Sequence, residues 1–239
     1  MALLNQAQRV EALQESLAQA ARDYGPAVFS SSLSAEDMVI TDVILTRKLD
    51  IGIFTIDTGR LHADTIDLLT RVDRKYGYVI QVYRPDPGSV NDYVYAHGRD
   101  AFYDSVVLRR ECCRIRKVEP LRRALAGKRM WITGLRESAG AREQLTSFHL
   151  DKTYGVLKSN PLAQWSEDDV WAYLHAHDVP YNRLYEQGYR SIGCAPCTRP
   201  SLPHETERAG RWWWEEGQLK ECGLHLDAHG RLVRATEVA

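Results

Sequence analysis

The chain has 239 residues, of which 44% are hydrophobic and 26% are charged, as is typical of soluble globular proteins. Aliphatic and aromatic residues run through its whole length, which excludes disordered and collagen-like chains. The formal net charge is −1, so the chain lacks the basic balance of a general nucleic-acid binder. No apolar run approaches the roughly 18 residues of a membrane span, and the first residues lack the apolar segment of a signal peptide. These features predict a cytoplasmic protein with one sizeable domain that binds neither nucleic acid nor membranes.

Strand and helix patterns alternate along the first part of the chain. The predicted elements are a helix at 3–21, a strand at 26–32, a helix at 35–49, a strand at 51–57, a helix ending at Gly77 and a strand at 78–83. The segment RPDPGS (84–89) is predicted to close the last of these strands. This alternation is typical of an α/β fold with a parallel sheet covered by helices on both faces.

The second part is less regular. Residues 109–126 are predicted to be helical, residues 130–135 to be a strand, and a hairpin turns at Asp151. Ser166 is the predicted N-cap of a further helix. Beyond residue 200 the pattern changes, so we predict an α/β domain over 1–200 and a C-terminal helix with a mobile tail over 201–239.

Five cysteines carry most of the chemical information. They are Cys112, Cys113, Cys194, Cys197 and Cys222, and an odd number in a chain of this kind argues against a disulfide framework. Four thiolates brought together usually bind metal, either zinc or a cubane iron–sulfur cluster. Adjacent cysteines on a helix diverge by about 100°, which favours the cluster over a single zinc ion. The remaining alternative is that Cys112 and Cys113 are small buried side chains and that Cys194 and Cys197 are a redox pair.

Basic residues accompany the first cysteine pair. Between positions 109 and 117 stand Arg109, Arg110, Arg114, Arg116 and Lys117, against the single acid Glu111. Local arginine in a nearly neutral protein indicates binding of a small anion, and cations would also offset the negative charge of a thiolate cluster. The alternative is an ordinary solvated helix face.

Two strand-to-helix turns are candidate ligand sites. Residues 30–34 read Ser-Ser-Ser-Leu-Ser before a helix, where hydroxyls and free N–H groups can bind phosphate or sulfate. The loop lacks the G-K-[ST] of a Walker A motif, and its serines could simply be helix caps. Asp57 and Gly59 follow the second strand, and they could line the same cleft or form an ordinary turn.

Cys222 stands apart from the other cysteines, with Gly223 after it and His225 three positions on. Thiolate is the nucleophilic form of cysteine, and nearby cations favour it. A thiol on a mobile tail could react at one site and then meet a second protein. The alternative is an incidental exposed cysteine.

Several of these motifs together resemble the assimilatory adenylyl-sulfate (APS) reductases, the iron–sulfur branch of the APS/PAPS reductase family. The matching segments are ECCRIRKVEPL (111–121), GCAPCTRP (193–200), ERAGRWWWEE (207–216) and KECGLH (220–225), supported by SSLSAEDMV and TIDTGRLH. The resemblance covers about residues 28–225, and the cysteine motifs are specific in combination.

The resemblance implies an adenine nucleotide α-hydrolase-like fold and a site built from several parts. A [4Fe-4S] cluster would be bound by Cys112, Cys113, Cys194 and Cys197, Cys222 would be the catalytic nucleophile, and Lys117 would lie between cluster and substrate. The substrate would be held by Ser31, Ser32, Ser34, Asp57, Gly59, Arg142, Arg208 and Arg211. The chain departs from the family in lacking a glycine before Ala35 and in a shorter segment over 134–142, which leaves Arg136 as an alternative to Arg142.

The implied reaction is thioredoxin-dependent reduction of APS to sulfite and AMP through a Cys222 S-sulfonate, in sulfate assimilation. The alternatives are a PAPS or dual-specificity reductase and an RNA-thiolation enzyme of the same fold. The latter would need a glycine-rich S-G-G-x-D-S loop and a basic surface, and an iron–sulfur sensor would need a DNA-reading element. The partner would be thioredoxin or a similar dithiol, and the sequence leaves open whether the chain forms a homo-oligomer.

Overall fold

A mostly parallel β-sheet organises the protein. The computed structural model describes residues 5–137 and 145–215. The strands in these ranges are β1 (Ala27–Ser30), β2 (Ile51–Ile56), β3 (Gln81–Tyr83), β4 (Met130–Ile132), β5 (Phe148–Asp151) and β6 (Val156–Ser159). They form one sheet in the order β3-β2-β1-β4-β6-β5, and only the β5–β6 pair is antiparallel. The predicted α/β fold with a parallel sheet is confirmed.

Helices separate most of the strands. Those in the described ranges are α1 (Gln6–Asp23), α2 (Ala35–Thr46), α3 (Ala63–Tyr76), α4 (Pro87–His97), α5 (Val106–Cys113), α6 (Glu119–Leu125) and α7 (Glu167–Ala176). None of them is long and apolar enough to cross a membrane. The predicted helix ends are confirmed at two positions. Gly77 ends α3 in the left-handed conformation, and Ser166 caps α7 through a capping box with Asp169.

Helix α2 lies inside the core and explains the position of the loop before it. Met38, Val39, Ile40, Val43 and Ile44 are all at most 1% exposed, and the polar Thr41 and Asp42 are buried with them, so the helix is buried around its whole circumference. The strands beside it are buried on both faces, as central parallel strands usually are. Because α2 cannot rotate without exposing apolar surface, the residues at its N-terminus are held at the carboxyl edge of the sheet.

The helix predicted over 109–126 is interrupted. A π-helical segment, Arg114–Val118, joins α5 to α6 directly after the first cysteine pair. A π-turn inserts one residue relative to the α-helical register, and such turns often mark functional sites. Its effect here is to redirect the basic residues that follow the cysteines.

Two other segments differ from the sequence-based prediction. Asp86, Pro87 and Gly88 were expected to close β3 as a loop, but Asp86 caps α4 by accepting a hydrogen bond from Ser89 N at 2.8 Å. Asp-Pro-Gly suits a turn and a helix start equally, because proline is also favoured in the first helical turn. A helix was predicted at the start of the C-terminal segment 201–239, but residues 201–215, the part that the structure describes, form a series of turns.

A buried carboxylate links α2 to α3 and α7. Asp42 is 4% exposed and accepts hydrogen bonds from the hydroxyls of Tyr76 and Tyr173, both at 2.7 Å. Burial and the Asp42 carboxylate raise the pKa of both tyrosines, so both stay protonated and donate. This polar group inside an apolar core fixes the three helices relative to one another.

Replacing Tyr173 with phenylalanine removes one of these donors. We expect Tyr173→Phe to lower the free energy of unfolding by about 1–3 kcal/mol, because the buried Asp42 oxygen loses its partner. Urea denaturation measures the effect. Tyr95→Phe is the matched control, since Tyr95 is 93% exposed, and equal stability of the two variants would contradict the assigned role.

Candidate active site

A large cavity opens at the carboxyl edge of the sheet, where ligands bind in folds of this type. Its volume is about 280 Å³. The loops after β1, β2 and β4 form one side of it, and residues 190–194 and 207–211 form the other. Six basic side chains line it, Lys117, Arg136, Lys158, Arg190, Arg208 and Arg211, against the three acids Glu36, Asp37 and Glu207. The surplus of cations makes this cavity suitable for an anionic ligand.

The serine loop is shaped by one buried carboxylate. Asp37 accepts hydrogen bonds from both the N–H (2.6 Å) and the hydroxyl (2.7 Å) of Ser32, and its own N–H donates to Ser34 Oγ at 3.4 Å. Ser31 Oγ accepts from Leu33 N at 3.2 Å, and Leu33 adopts a positive φ of 63°. The predicted residues Ser31, Ser32 and Ser34 all line the large cavity.

Asp37 is itself an unusual acid. Complete burial raises its pKa to about 6, although its hydrogen bonds to Ser32 act in the opposite direction. Gly134, on the neighbouring loop, approaches Asp37 so closely that a Cβ there would lie 2.2 Å from the carboxylate. The glycine is therefore required for the close contact of the two loops.

Arg136 joins three separate parts of the chain. It is 2% exposed and forms ion pairs with Glu36 at 2.7 Å and with Glu207 at 3.3 Å. Burial disfavours its charge, yet the two carboxylates raise its pKa above the ordinary value. Glu36 lies at the start of α2 and Glu207 near the C-terminal end of the described chain, so this ion-pair group closes one wall of the large cavity.

Arg211 lies flat against the backbone of the second cysteine loop. Its Nη1 donates to the carbonyl of Ile192 at 3.3 Å, and a Cβ on Gly193 would lie 2.4 Å from the guanidinium. Arg211 is 4% exposed, and Arg208 also lines the large cavity. Both arginines thus stand where sequence motifs suggested an anion site.

Asp57 and Gly59 are adjacent to the large cavity without being among its lining residues. Asp57 pairs with Arg84 at 3.1 Å and accepts a hydrogen bond from Gly59 N at 2.9 Å. Gly59 has a φ of +71°, and a Cβ there would lie 3.5 Å from Nη1 of Arg116. The same nitrogen donates a hydrogen bond to Thr58 O at 2.8 Å. Thr58, between the two, does line the cavity.

The first four cysteines surround a second, smaller cavity, which we call the cysteine cavity. They are unbridged thiols. Its lining comprises Arg60, Phe102, Arg109, Cys112, Cys113, Arg116, Lys117, Cys194, Pro196, Cys197 and Trp212. The first pair ends α5, and the second brackets a 3₁₀ turn, Ala195–Cys197. The fold therefore brings together two motifs that are far apart in the sequence.

Most of the thiols in this cavity are buried, since Cys113, Cys194 and Cys197 are at most 9% exposed. Burial raises the pKa of Cys197 to about 12 and also raises the pKa of Cys112, while Lys117 lowers both. Thr58 Oγ1 and Cys194 Sγ lie 3.2 Å apart and share a hydrogen bond. In the described parts of the chain, no three His, Cys, Asp or Glu side chains are grouped to hold a metal ion. The four sulfurs line a common space rather than converging on one point.

Two residues belong to both cavities. Lys117, in the π-helical segment, and Cys194, at the start of the second cysteine motif, line the large cavity and the cysteine cavity alike. The two predicted residues that the structure does not place are Cys222 and Arg142, which lie outside the described residues.

Sequence reasoning missed several lining side chains. Glu36, Lys158, Arg190 and Glu207 were not proposed, and Arg136 was considered only as an alternative to Arg142. A signal existed for Arg136 and Glu36, since each follows the end of a central strand by a few residues. Lys158 lies within β6 and carries no such signal.

Comparison with known sequences decides the family. A family model described as "Phosphoadenosine phosphosulfate reductase domain" matches residues 26–200. The chain belongs to this family. The adenosine 5'-phosphosulfate reductase of Allochromatium vinosum is 53% identical over 88% of this chain and 83% of its own length. Those of Burkholderia cepacia (52%) and Neisseria meningitidis serogroup A (53%) each cover 92% of this chain and 88% and 91% of their own lengths.

Solved structures agree with this family fold. The phosphoadenylyl-sulfate reductase of Candida auris, in a phosphate complex, aligns with a TM-score of 0.63 and 27% identity over 82% of this chain and 98% of that chain. An FMN adenylyltransferase of Candida glabrata aligns with a TM-score of 0.59 at 14% identity, over 90% of this chain and 75% of its own, and shares the fold alone. The adenine nucleotide α-hydrolase-like architecture is therefore confirmed.

The raised pKa of Asp37 predicts a pH dependence of stability. Because burial raises the pKa of the folded carboxyl from its ordinary value of 3.8 to about 6, its protonated form stabilises the fold below about pH 4, and that contribution is lost as the pH rises through 6. Two pKa units correspond to about 3 kcal/mol. We expect Asp37→Asn, which keeps an acceptor for Ser32, to flatten this part of the profile.

Urea denaturation of the wild type and of Asp37→Asn at several values between pH 4 and pH 7 measures the difference. Asp64→Asn is the control, because Asp64 lies in the first turn of α3 and is not among the residues that line the large cavity. Parallel profiles for the wild type and Asp37→Asn would show that Asp37 does not titrate in this range.

Proposed function

We propose that this protein reduces adenosine 5'-phosphosulfate to sulfite and AMP, with a thioredoxin-like dithiol as the reductant. The main observation in support of this proposal is that the large cavity and the cysteine cavity lie next to each other and share lining residues. A cation-lined cavity large enough for part of a nucleotide meets a cavity lined by four thiols, at Lys117 and Cys194. Relatives that are 53% identical to this chain over the aligned residues are named adenosine 5'-phosphosulfate reductase.

The large cavity supplies the groups that an adenylated sulfate needs. The serine loop and the N-terminus of α2 offer hydroxyl and N–H donors, and Arg208, Arg211 and Lys117 offer positive charge for phosphate and sulfate oxygens. Arg142 is proposed to join them. Asp57 and Gly59 are proposed to support the nucleotide from the edge of the cavity, through the turn that places Thr58.

The cysteine cavity fits a [4Fe-4S] cluster bound by Cys112, Cys113, Cys194 and Cys197. All four donors are sulfur, as such clusters require. Four cations, Arg60, Arg109, Arg116 and Lys117, line the same cavity and would offset the negative charge of a thiolate-bound cluster. Cys112 and Cys113 are adjacent at the end of α5, so their side chains diverge by about 100°, which favours a polynuclear cluster over a single zinc ion.

Deprotonated cysteines are a condition for such binding. Burial keeps the thiols of Cys112 and Cys197 protonated at neutral pH, so metal would have to displace those protons. When bound, the cluster would supply negative charge and structural rigidity beside the substrate cavity. Electrons need not come from it, because the proposed reductant delivers two electrons as thiols.

The first chemical step is assigned to Cys222. Its thiolate attacks the sulfur of the sulfate group, an Sγ–S bond forms, the S–O bond to the phosphate breaks, and AMP leaves with the electron pair. Arg208, Arg211 and Lys117 stabilise the charge that builds on the phosphate and sulfate oxygens. The product on the protein is a Cys222 S-sulfonate.

The second step returns the enzyme to its starting state. A thiolate of the dithiol attacks Cys222 Sγ and displaces sulfite, which leaves a mixed disulfide. The second thiol of the reductant then attacks the reductant sulfur of the mixed disulfide and releases the Cys222 thiolate. The dithiol is oxidised to a disulfide, and the substrate sulfur gains two electrons.

Replacement of Cys222 tests the nucleophile. We expect Cys222→Ser to abolish sulfite release from adenosine 5'-phosphosulfate, with a loss of at least 1,000-fold, because a serine hydroxyl is a much weaker nucleophile at neutral pH and cannot form the Sγ–S bond. Sulfite release with thioredoxin as reductant measures the rate, and mass spectrometry locates the S-sulfonate in the wild type. An adduct on another cysteine, or unchanged sulfite release, would contradict the assignment.

Metal analysis tests the cofactor. We expect anaerobically prepared protein to contain about four iron and four sulfide per chain, and Cys197→Ser to lose most of both. Cys222→Ser is the matched control, because it removes a cysteine outside the proposed ligand set and should keep the metal. Zinc in place of iron would refute the cluster while leaving the role of Cys222 intact.

The nucleotide is tested in the same assay. A preference for adenosine 5'-phosphosulfate is expected because the relatives at about 50% identity carry that name, whereas the family model and the Candida auris structure carry the name of the 3'-phosphorylated substrate. The ratio of kcat/KM for the two nucleotides decides between one substrate and dual specificity.

A further inference from the structure

Residues 207–215, which we call the strap, run between the two cavities and end seven residues before Cys222. They are joined to the second cysteine motif by backbone hydrogen bonds. Arg199 N donates to Gly210 O at 3.0 Å, and Trp212 N donates to Cys197 O at 3.1 Å. Seven residues can span at most about 25 Å, so the end of the strap determines which region Cys222 can reach.

Trp212 is the centre of the strap. It is 1% exposed, lines the cysteine cavity and has a φ of +43°, a conformation that bulky residues rarely adopt. The guanidinium groups of Arg109 and Arg211 each lie 4.6 Å from its ring centroid. A strained backbone of this kind persists only where surrounding contacts hold it.

The strap ends on a buried ion pair. Arg109 Nη2 donates to Glu215 Oε2 at 3.1 Å, and Arg109 Nε donates to Glu215 Oε1. The two side chains are 1% and 7% exposed. Arg109 precedes the first cysteine pair on α5, so the pair ties the end of the strap to the helix that carries Cys112 and Cys113.

The two halves of the strap are held by different contacts. Before Trp212, Arg211 rests on Ile192 and Gly193, and these contacts do not involve Glu215. After Trp212, the chain is held by the buried pair with Arg109 and by the rings of Trp213 and Trp214, whose centroids lie 6.4 and 4.4 Å from that of Tyr103. Loss of the pair should therefore loosen the end of the strap at residue 215 and leave the arginines of the large cavity in place.

We propose that Arg109 and Glu215 are positioning residues that fix the starting point of the segment carrying Cys222, and that they act on sulfuryl transfer rather than on nucleotide binding. The role in sulfuryl transfer rests on the proposed function, whereas the role in holding the strap rests only on the contacts described above. Removing one partner of a buried ion pair leaves an uncompensated charge, so the effect should exceed that of any exposed pair.

Glu215→Gln is the main test, made in the full-length protein. We expect amide hydrogen exchange of residues 213–215 to rise at least tenfold, while exchange in α2 stays unchanged. The dissociation constant for AMP should change less than threefold, because Arg211 keeps its own anchors. The single-turnover rate of S-sulfonate formation at saturating adenosine 5'-phosphosulfate should fall about tenfold.

Two further variants serve as comparisons. Glu119→Gln breaks the ion pair of Glu119 with Arg123, in which the side chains are 39% and 46% exposed, respectively. This variant should match the wild type in all three measurements. Arg109→Lys keeps the positive charge but not the two-point contact, and should fall between the wild type and Glu215→Gln. General destabilisation would instead raise exchange in α2 and weaken AMP binding as well.

Several results would overturn the proposal. They are unchanged exchange in the strap of Glu215→Gln, weakened AMP binding with an unchanged transfer rate, or equal behaviour of Glu215→Gln and Glu119→Gln. Loss of iron from Glu215→Gln without faster exchange would also overturn it, by placing the pair in metal retention. If the wild type failed to form an S-sulfonate, the proposed function would fail, and faster local exchange in Glu215→Gln with unchanged AMP binding would still support the positioning of the strap.

Discussion

Buried positive charge is the constraint on which the rest of this structure depends. A guanidinium or ammonium group loses much hydration free energy on burial and is stable only beside compensating groups. Arg136 has two carboxylates within 3.3 Å, and Arg109 has Glu215. The large cavity still carries six cations against three acids. This excess is what an anionic nucleotide would neutralise, so the same charges that shape the cavity also select its ligand.

Local sequence pattern was sufficient for the fold and for much of the site. Continuous apolar strands alternating with helices can be satisfied by few arrangements other than a covered parallel sheet. Since the carboxyl ends of parallel strands share one edge, the serine loop after β1 had to lie at that edge. The four cysteines predicted to act together do line one cavity, while their role as metal ligands stays a prediction. Lys117, Arg208 and Arg211 followed from family motifs rather than from periodicity.

Pairings between distant charges could not be predicted in this way. Arg136 lies 100 residues after Glu36 and 71 residues before Glu207, and a charge in the sequence does not indicate its partner. The π-turn after Cys113 was also hidden, because one inserted residue scarcely alters helical periodicity. Asp86 illustrates a third limit, in which one tripeptide suits two local structures and tertiary packing decides. These are the places where the sequence is informative only once the fold is known.

The geometry of the site depends on two glycines against which a buried side chain packs directly. Gly134 lets the loop after β4 meet Asp37, and Gly193 lets the guanidinium of Arg211 lie on the chain before Cys194. In both cases a methyl group would overlap the polar end of a buried side chain, the carboxylate of Asp37 or the guanidinium of Arg211. Asp37 is held by its hydrogen bonds from Ser32, and Arg211 by its hydrogen bond to the Ile192 carbonyl. The two glycines therefore let buried polar side chains pack directly on the main chain, which keeps hydrogen-bond donors in place before an anion arrives.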